Sequence, residues 1–501
     1  MKKLNILTIA IALITLLGSC SQDLLDTPAP NISDASFFTS DEAAYDVLVG
    51  VYDPLSRYNY SQIHEWMIGD VVSDDAEKGG EGHGDWAECQ DLKNFRANTE
   101  NSILLARWRE PYVGINRANK LIEGIDGNEN ISMDVQKRYI AEAKFLRAWY
   151  YFHLVKVFGG VPIVTSVLQP SEFTLPRNTE AEVYAQIEKD LKEAAPELPF
   201  KTEFKDPVTL IDQEAGRATR GAAEAMLIKM YVFQEKWSEA ATLAQSFIDN
   251  YDWYDLEENY ADVFTKKGEN GVESIFEIQH LGVEGDDEWG DSNDGNVTAI
   301  YQGSRELYNG DGEIVSGWGW GFNLPTQDLY DEYEDGDLRR EATIIDDKDV
   351  LWEGSDDEEI ICTKHINSIG YDAKVYHSKK YYIPASERLN MSNSSNNWRA
   401  IRFADVLLWH AEANAHTGGD WEYGVNRVRA RVGLDPTSSA DALEAVYHER
   451  RVELAMEGHR YWDLVRTGRG NLMNGYSDNK RLMPIPQAEI GLNPNLEQNP
   501  Y

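Results

Sequence analysis

The chain has 501 residues, 42% of them hydrophobic, so it can bury a large core and on length alone divides into two or three domains. Its 86 acidic residues outnumber 47 basic ones and leave a formal charge of −39. The hydrophobic content excludes a disordered chain, and the summed field of the acidic excess repels phosphate backbones and anionic headgroups, which argues against nucleic acid as a partner.

The N-terminus reads as a secretory signal: basic residues at 2–3, an apolar run over 4–17 too short to span a bilayer, then Leu17, Gly18, Ser19 and Cys20. Those last four have the form of a lipobox, which makes Cys20 the acylated mature N-terminus of a lipoprotein; an ordinary signal peptide cut near Ser19 is the alternative. The polar and acidic Ser21, Gln22 and Asp23 favour display at the cell surface. Cys89 and Cys362 are the remaining thiols, read as unpaired, with a disulfide left open.

Helices follow. Thr39 and Glu42 have capping-box spacing, and Ala44, Leu48, Val51 and Leu55 recur on one face behind them. Trp108, Tyr112, Ile115 and Ile122 mark a second helix. A third, carrying Ala141, Phe145, Ala148, Phe152 and Val155, is apolar nearly all round and stops at Gly159, Gly160 and Pro162, so it must lie between neighbours in a layered core. Thr179 with Glu182 caps a fourth, which Pro196 ends. Over residues 220–250 two helical segments meet at Lys236, with Leu227, Tyr231 and Ala240 at the spacings of a tetratricopeptide unit; a similar hairpin recurs over 402–432. A generic pair of antiparallel helices is the alternative there.

Residues 268–397 differ: they are rich in Gly, Asp, Asn and Trp with little helical period, as loops and short strands are. So long an irregular stretch in a compact chain points to binding, because its tryptophans argue against disorder. The expected organisation is a signal peptide at 1–19, a lipidated tether at 20–38, a helical scaffold over 39–267 and 398–501, and a binding insertion at 268–397 assisted by loop 70–100.

The C-terminal half carries family motifs: residues 402–413 (RFADVLLWHAEA), 449–458 (ERRVELAMEG) with Arg460 and Asp463, and 483–486 (MPIP) with the terminal 498–501 (QNPY). With 141–148 (AEAKFLRA), 158–162 (FGGVP), and Asp337, Leu338 and Arg339, they closely resemble the SusD/RagB family over nearly the whole mature chain. The resemblance implies a mostly α fold, a scaffold of about four degenerate tetratricopeptide-like units with a loop-rich ligand-binding subdomain. It implies lipid anchoring in the outer membrane, capture of oligo- or polysaccharide, and a SusC-like TonB-dependent β-barrel transporter as partner. Glu449, Arg450, Glu457, Arg460 and Asp463 are read as internal ion pairs rather than catalytic groups.

Sugars present hydroxyl rims and apolar C–H faces, so their sites pair flat aromatics with a few polar groups. Trp108 and Trp149 lie in buried helices, whereas Trp86 in the polar stretch 79–90, Trp289 in an Asp- and Gly-rich stretch, and Trp318 and Trp320 in 317–321 (GWGWG) do not. These four, with Tyr301, are the candidate ligand-binding residues; if 317–321 is extended, Trp318 and Trp320 share one side. The resemblance supports these two regions, not exact positions. No metalloprotease, serine-hydrolase or dinucleotide motif is present, and the acidic runs 286–294 and 331–337 complete no EF-hand, so no cofactor is expected, with calcium open. A surface glycoside hydrolase and a protein-binding repeat scaffold are the alternatives to glycan capture. The acidic charge turns away polyanions and favours a neutral polysaccharide such as a β-glucan.

Overall fold

Burial of one helix on every side organises the molecule. The computed structural model describes residues 37–57, 63–82, 84–204, 214–282, 295–305, 319–346, 351, 376–384, 387 and 394–501. Helix α1 (Asp41–Tyr52) buries Ala44, Leu48 and Val51, the face read from their spacing. Its cap is displaced by one residue from the expected Thr39: Ser40 has the extended backbone and its hydroxyl accepts the Ala43 N–H at 3.3 Å. After the short helix α2 (Ala87–Lys93) come α3 (Ser102–Ile125) and α4 (Met133–Phe158). Every residue of α4 from Ala141 to Phe158 is buried except Lys144, and Gly159 ends it at φ 70°. A Cβ on Gly114 would lie 2.2 Å from the Tyr150 ring, so a glycine is what lets α3 approach α4.

Helix α5 (Glu180–Ala194) has the predicted capping box, with the Thr179 hydroxyl and the Glu182 carboxylate satisfying each other's N–H groups. Buried Arg147 of α4 ties three helices together: it donates two bonds to Asp190 of α5, at 2.9 and 2.7 Å, and one to Asn119 of α3 at 2.7 Å. Helices α6 (Arg220–Phe233) and α7 (Trp237–Asn250) form the hairpin expected around Lys236. Each helix from α3 to α7 packs on the next.

The region between α7 and the C-terminal helices is built from short pieces. Strand β1 (Ala76–Gly79) lies before α2, β2 (Ser274–Ile278) follows α7, and helix α8 (Thr298–Gln302) precedes β3 (Phe322–Pro325) and β4 (Trp398–Arg402). β2 and β4 pair antiparallel, Ser274 opposite Arg402 and Ile278 opposite Trp398, so the insertion leaves and returns through one clamp. β1 and β3 also pair antiparallel, with Gly79 opposite Phe322, joining a loop of the N-terminal half to the insertion.

Helices α9 (Phe403–Thr417) and α10 (Glu422–Arg431) make the second hairpin, followed by α11 (Ala442–Glu453) and α12 (Arg460–Arg466). The motif charges pair internally. Fully buried Arg402 donates to Glu273 at 2.7 Å, Glu453 at 2.6 Å and Glu457 at 2.8 Å. Arg339 joins Asp337, Glu449 and Glu453; Arg450 pairs with Asp463 and Arg460 with Asp74. Against the opposing effect of burial, Arg431, Arg402 and Arg339 hold Glu453 well below the usual carboxylate range, Arg450 and Arg466 do the same for Asp463, and Arg402 with Lys380 holds Glu457 down to about 2. The core is thus mostly α, and its polar interior joins the insertion to the scaffold.

Candidate functional site

Two segments more than two hundred residues apart meet across the β1–β3 pair. On the first, Gly79 and Gly80 adopt φ of 72° and 76°; a Cβ on Gly79 would lie 2.1 Å from the Gly321 carbonyl oxygen, so only glycine permits this approach. The Gly80 N–H donates to that same carbonyl at 2.8 Å. The second segment is pressed against α8: Gly319, Trp320 and Gly321 donate their N–H groups to Ser304, Ile300 and Gly303 at 3.0, 2.7 and 2.8 Å. A Cβ on Gly319 would lie 2.4 Å from the Gly303 backbone. The alternation of Gly and Trp over 319–321 therefore serves a close backbone approach that fixes the frame from which the half-buried indole of Trp320 packs on Tyr301.

Trp86 is the residue before α2 and sits in the left-handed region at φ 52°, ψ 61°. A bulky side chain there is strained, so its surroundings must hold it. Three interactions do: the ammonium of Lys78 donates to the carbonyls of Gly82, at 2.9 Å, and Asp85; the Glu81 N–H donates to the Asp85 carboxylate at 2.8 Å; and the Trp86 ring packs on Tyr301 and Phe322.

The structure brings Trp86, Tyr301 and Trp320 into one aromatic cluster. Tyr301 is buried in its middle, with ring centroids 5.3 Å from Trp86 and 4.7 Å from Trp320, and Phe322 lies 5.7 Å from Trp86. Both indoles are half-buried and so keep part of their surface in solvent. They make angles of 42° and 70° with the one ring between them, so they are not coplanar. Tyr301, buried and in contact with both, packs beneath the solvent rather than offering an open face. Trp289 and Trp318, the other two candidates, lie outside the described residues.

Polar groups that the sequence reading missed stand at the rim. Arg305 donates to the Trp320 carbonyl at 2.7 Å and reaches the Asp85 carboxylate at 3.4 Å, with side chains 28% and 34% exposed. Nothing in the spacing of Asp85 and Arg305 announces this pair; it exists because β1–β3 pairing closes the distance. Cys89, one turn into α2, is buried and its thiol is pushed up to about 12 by desolvation, while Cys362 lies outside the described residues. Among the described residues no three His, Cys, Asp or Glu side chains converge as a metal site. The acidic run 286–294 lies outside them; in 331–337, Asp337 is engaged by Arg339 and Asp331 by Gln327.

Comparison with known proteins places this geometry. A profile of the SusD family matches residues 272–501, and one described as "Starch-binding associating with outer membrane" matches 23–232. A solved laminarin-binding SusD-like protein is 33% identical, with 92% of this chain and 99% of that one covered at a TM-score of 0.81. The chain belongs to the SusD family. Surface glycan-binding protein A from Bacteroides thetaiotaomicron, solved with laminarihexaose, is 26% identical over 92% of this chain and all of that one, at a TM-score of 0.75. A SusD-like protein of Bacteroides ovatus is 28% identical, covering 90% of this chain and 80% of its own. Within this SusD-family chain, no helix among the described residues is long and apolar enough to cross a membrane.

Proposed function

We propose that this SusD-family protein captures a neutral glycan of the β-glucan class at the bacterial surface and passes it to a TonB-dependent outer-membrane transporter, with Cys20 carrying the lipid anchor. The observation that carries the reading is the pair of half-buried indoles, Trp86 and Trp320, each packed on buried Tyr301, with Arg305 and Asp85 beside them. Indole faces cover the apolar C–H faces of sugar rings, and the rim pair supplies a donor and an acceptor for hydroxyls. Indoles that are not coplanar suit a coiled chain better than a flat ribbon, and the neighbours named for laminarin and laminarihexaose support such a ligand. The salt-bridged rim adds no net charge, and a chain of net charge −39 repels a polyanion at long range.

Capture without chemistry is part of the proposal, and the motif carboxylates Glu449, Glu457 and Asp463 support it because arginines or a lysine occupy them. Incubating the soluble chain from Ser21 with β-glucan oligosaccharides tests both parts. Saturable binding with no new reducing ends is expected. New reducing ends would establish a hydrolase instead, and no binding to any of a panel of glycans would leave a protein-binding scaffold.

A further inference from the structure

We propose that Lys78 is a positioning residue for the glycan site: its buried ammonium holds the carbonyls of Gly82 and Asp85 and thereby fixes Trp86 against Tyr301. The inference rests on the reading of Trp86 as a ligand-binding residue.

Lys78 is 1% exposed, and among the described residues no carboxylate lies within ion-pair distance of it. The Asp85 carboxylate acts on it only from beyond contact, and a buried cation with no carboxylate in contact is retained where its hydrogen bonds replace its water. Here the replacements are two backbone carbonyls of a single loop and the face of Phe322, 5.4 Å away. Both carbonyls belong to residues just before Trp86, one of them to its immediate neighbour. The ring of Phe322 in turn packs on Trp86 and Tyr301. One side chain on β1 thus braces the backbone that carries Trp86 and also touches the aromatic wall that receives it. An apolar residue of similar length would fill the same space but take the ammonium's bonds from both carbonyls, leaving Gly82 with the Asp85 N–H at 3.0 Å, so the strained left-handed conformation of Trp86 would lose part of its support.

The test uses the mature chain from Ser21 with Cys362→Ser, in which Cys89 is the remaining thiol of the three in the sequence. Lys78→Met keeps the apolar stem and removes the donors. We expect roughly a fivefold to tenfold loss of affinity for a β-glucan hexasaccharide, a part of what losing a stacking ring costs. The Lys78→Met/Trp86→Ala double variant should bind no more weakly than Trp86→Ala alone, because Lys78 acts through Trp86. Independently of any glycan, the thiol of Cys89, fully buried at the start of α2, should react faster with a thiol reagent in Lys78→Met. Unchanged affinity and Cys89 reactivity in Lys78→Met, or losses that add in the double variant, would overturn the positioning role. If Lys78→Met does not fold, Lys78→Gln, which keeps one donor, should show the same changes in smaller degree; their absence overturns the role equally. The two failures are separable: when Trp86→Ala binds like the parent, the glycan reading itself has failed, whereas loss in Trp86→Ala with none in Lys78→Met removes only the role of Lys78.

Discussion

Replacing Trp86 with alanine separates a binding indole from a packing one. Trp86 touches Tyr301 and Phe322 at centroid distances of 5.3 and 5.7 Å but remains half-buried. A fully buried tryptophan truncated to alanine costs about 3–5 kcal/mol, so a half-buried one should cost about 2 kcal/mol of stability. In a chain of this length that is a fall of only a few degrees in melting temperature, on the order of 2–4 °C or less per kcal/mol. Loss of one stacking ring at a shallow site costs about 1–3 kcal/mol by analogy with bases on aromatic platforms, or about fivefold to 150-fold in affinity. Trp320→Ala should behave in the same way, its half-buried ring also packing on Tyr301, at 4.7 Å. Trp149, 1% exposed and packed on Phe276 and Trp398, is the control: its truncation should lower the melting temperature most while sparing affinity in whatever fraction folds. Calorimetric titration with a β-glucan hexasaccharide, run beside thermal unfolding on all three variants, gives both quantities. Unchanged affinity with lowered stability for Trp86→Ala and Trp320→Ala would refute the reasoning and assign both rings to packing alone.

Other consequences are as specific. Arg402→Met removes a guanidinium shared by Glu273, Glu453 and Glu457 and should cost about 3–5 kcal/mol of stability, seen as a lower urea midpoint; an unchanged midpoint would mean this network does not join β4 to α11. Burial raises the carboxyl of Asp70 to about 8, against the bonds it accepts from Asn323 and the Gly458 N–H. Its folded pKa exceeds its unfolded one, so its contribution is fully present at low pH and is lost as pH rises through 8. Relative to Asp70→Asn, the parent should therefore lose about 2–3 kcal/mol between pH 6 and 8, and parallel stability curves for the two proteins would contradict this. Cys20→Ala should abolish incorporation of labelled fatty acid and release the protein from outer-membrane fractions; retained label would remove Cys20 as the acylation site.

The scaffold was largely readable from sequence because its signals are local. Capping at Thr179 and Glu182, the all-round apolar pattern of α4 and the stop at Gly159 each depend on residues a few positions apart. The displaced cap of α1 shows the limit of that logic: two hydroxyls stand side by side, and local spacing does not say which of them caps the helix. The aromatic cluster was readable only as a set of candidates. Composition picks out Trp86 and Trp320, but their meeting depends on β1–β3 pairing across more than two hundred residues, and no periodicity encodes that. The Asp85–Arg305 pair was invisible for the same reason, and Lys78, whose bonds to Gly82 and Asp85 are local, reads in sequence as an ordinary charged residue until the fold buries it.

Titration of the mature chain from Ser21 with a neutral β-glucan and, in parallel, with a polyanionic polysaccharide tests the central claim most directly. Saturable binding of the β-glucan is expected, lost in the Trp86→Ala/Trp320→Ala double variant, with no binding of the polyanion. Absence of β-glucan binding, or a double variant that binds it as the parent does, would contradict the account.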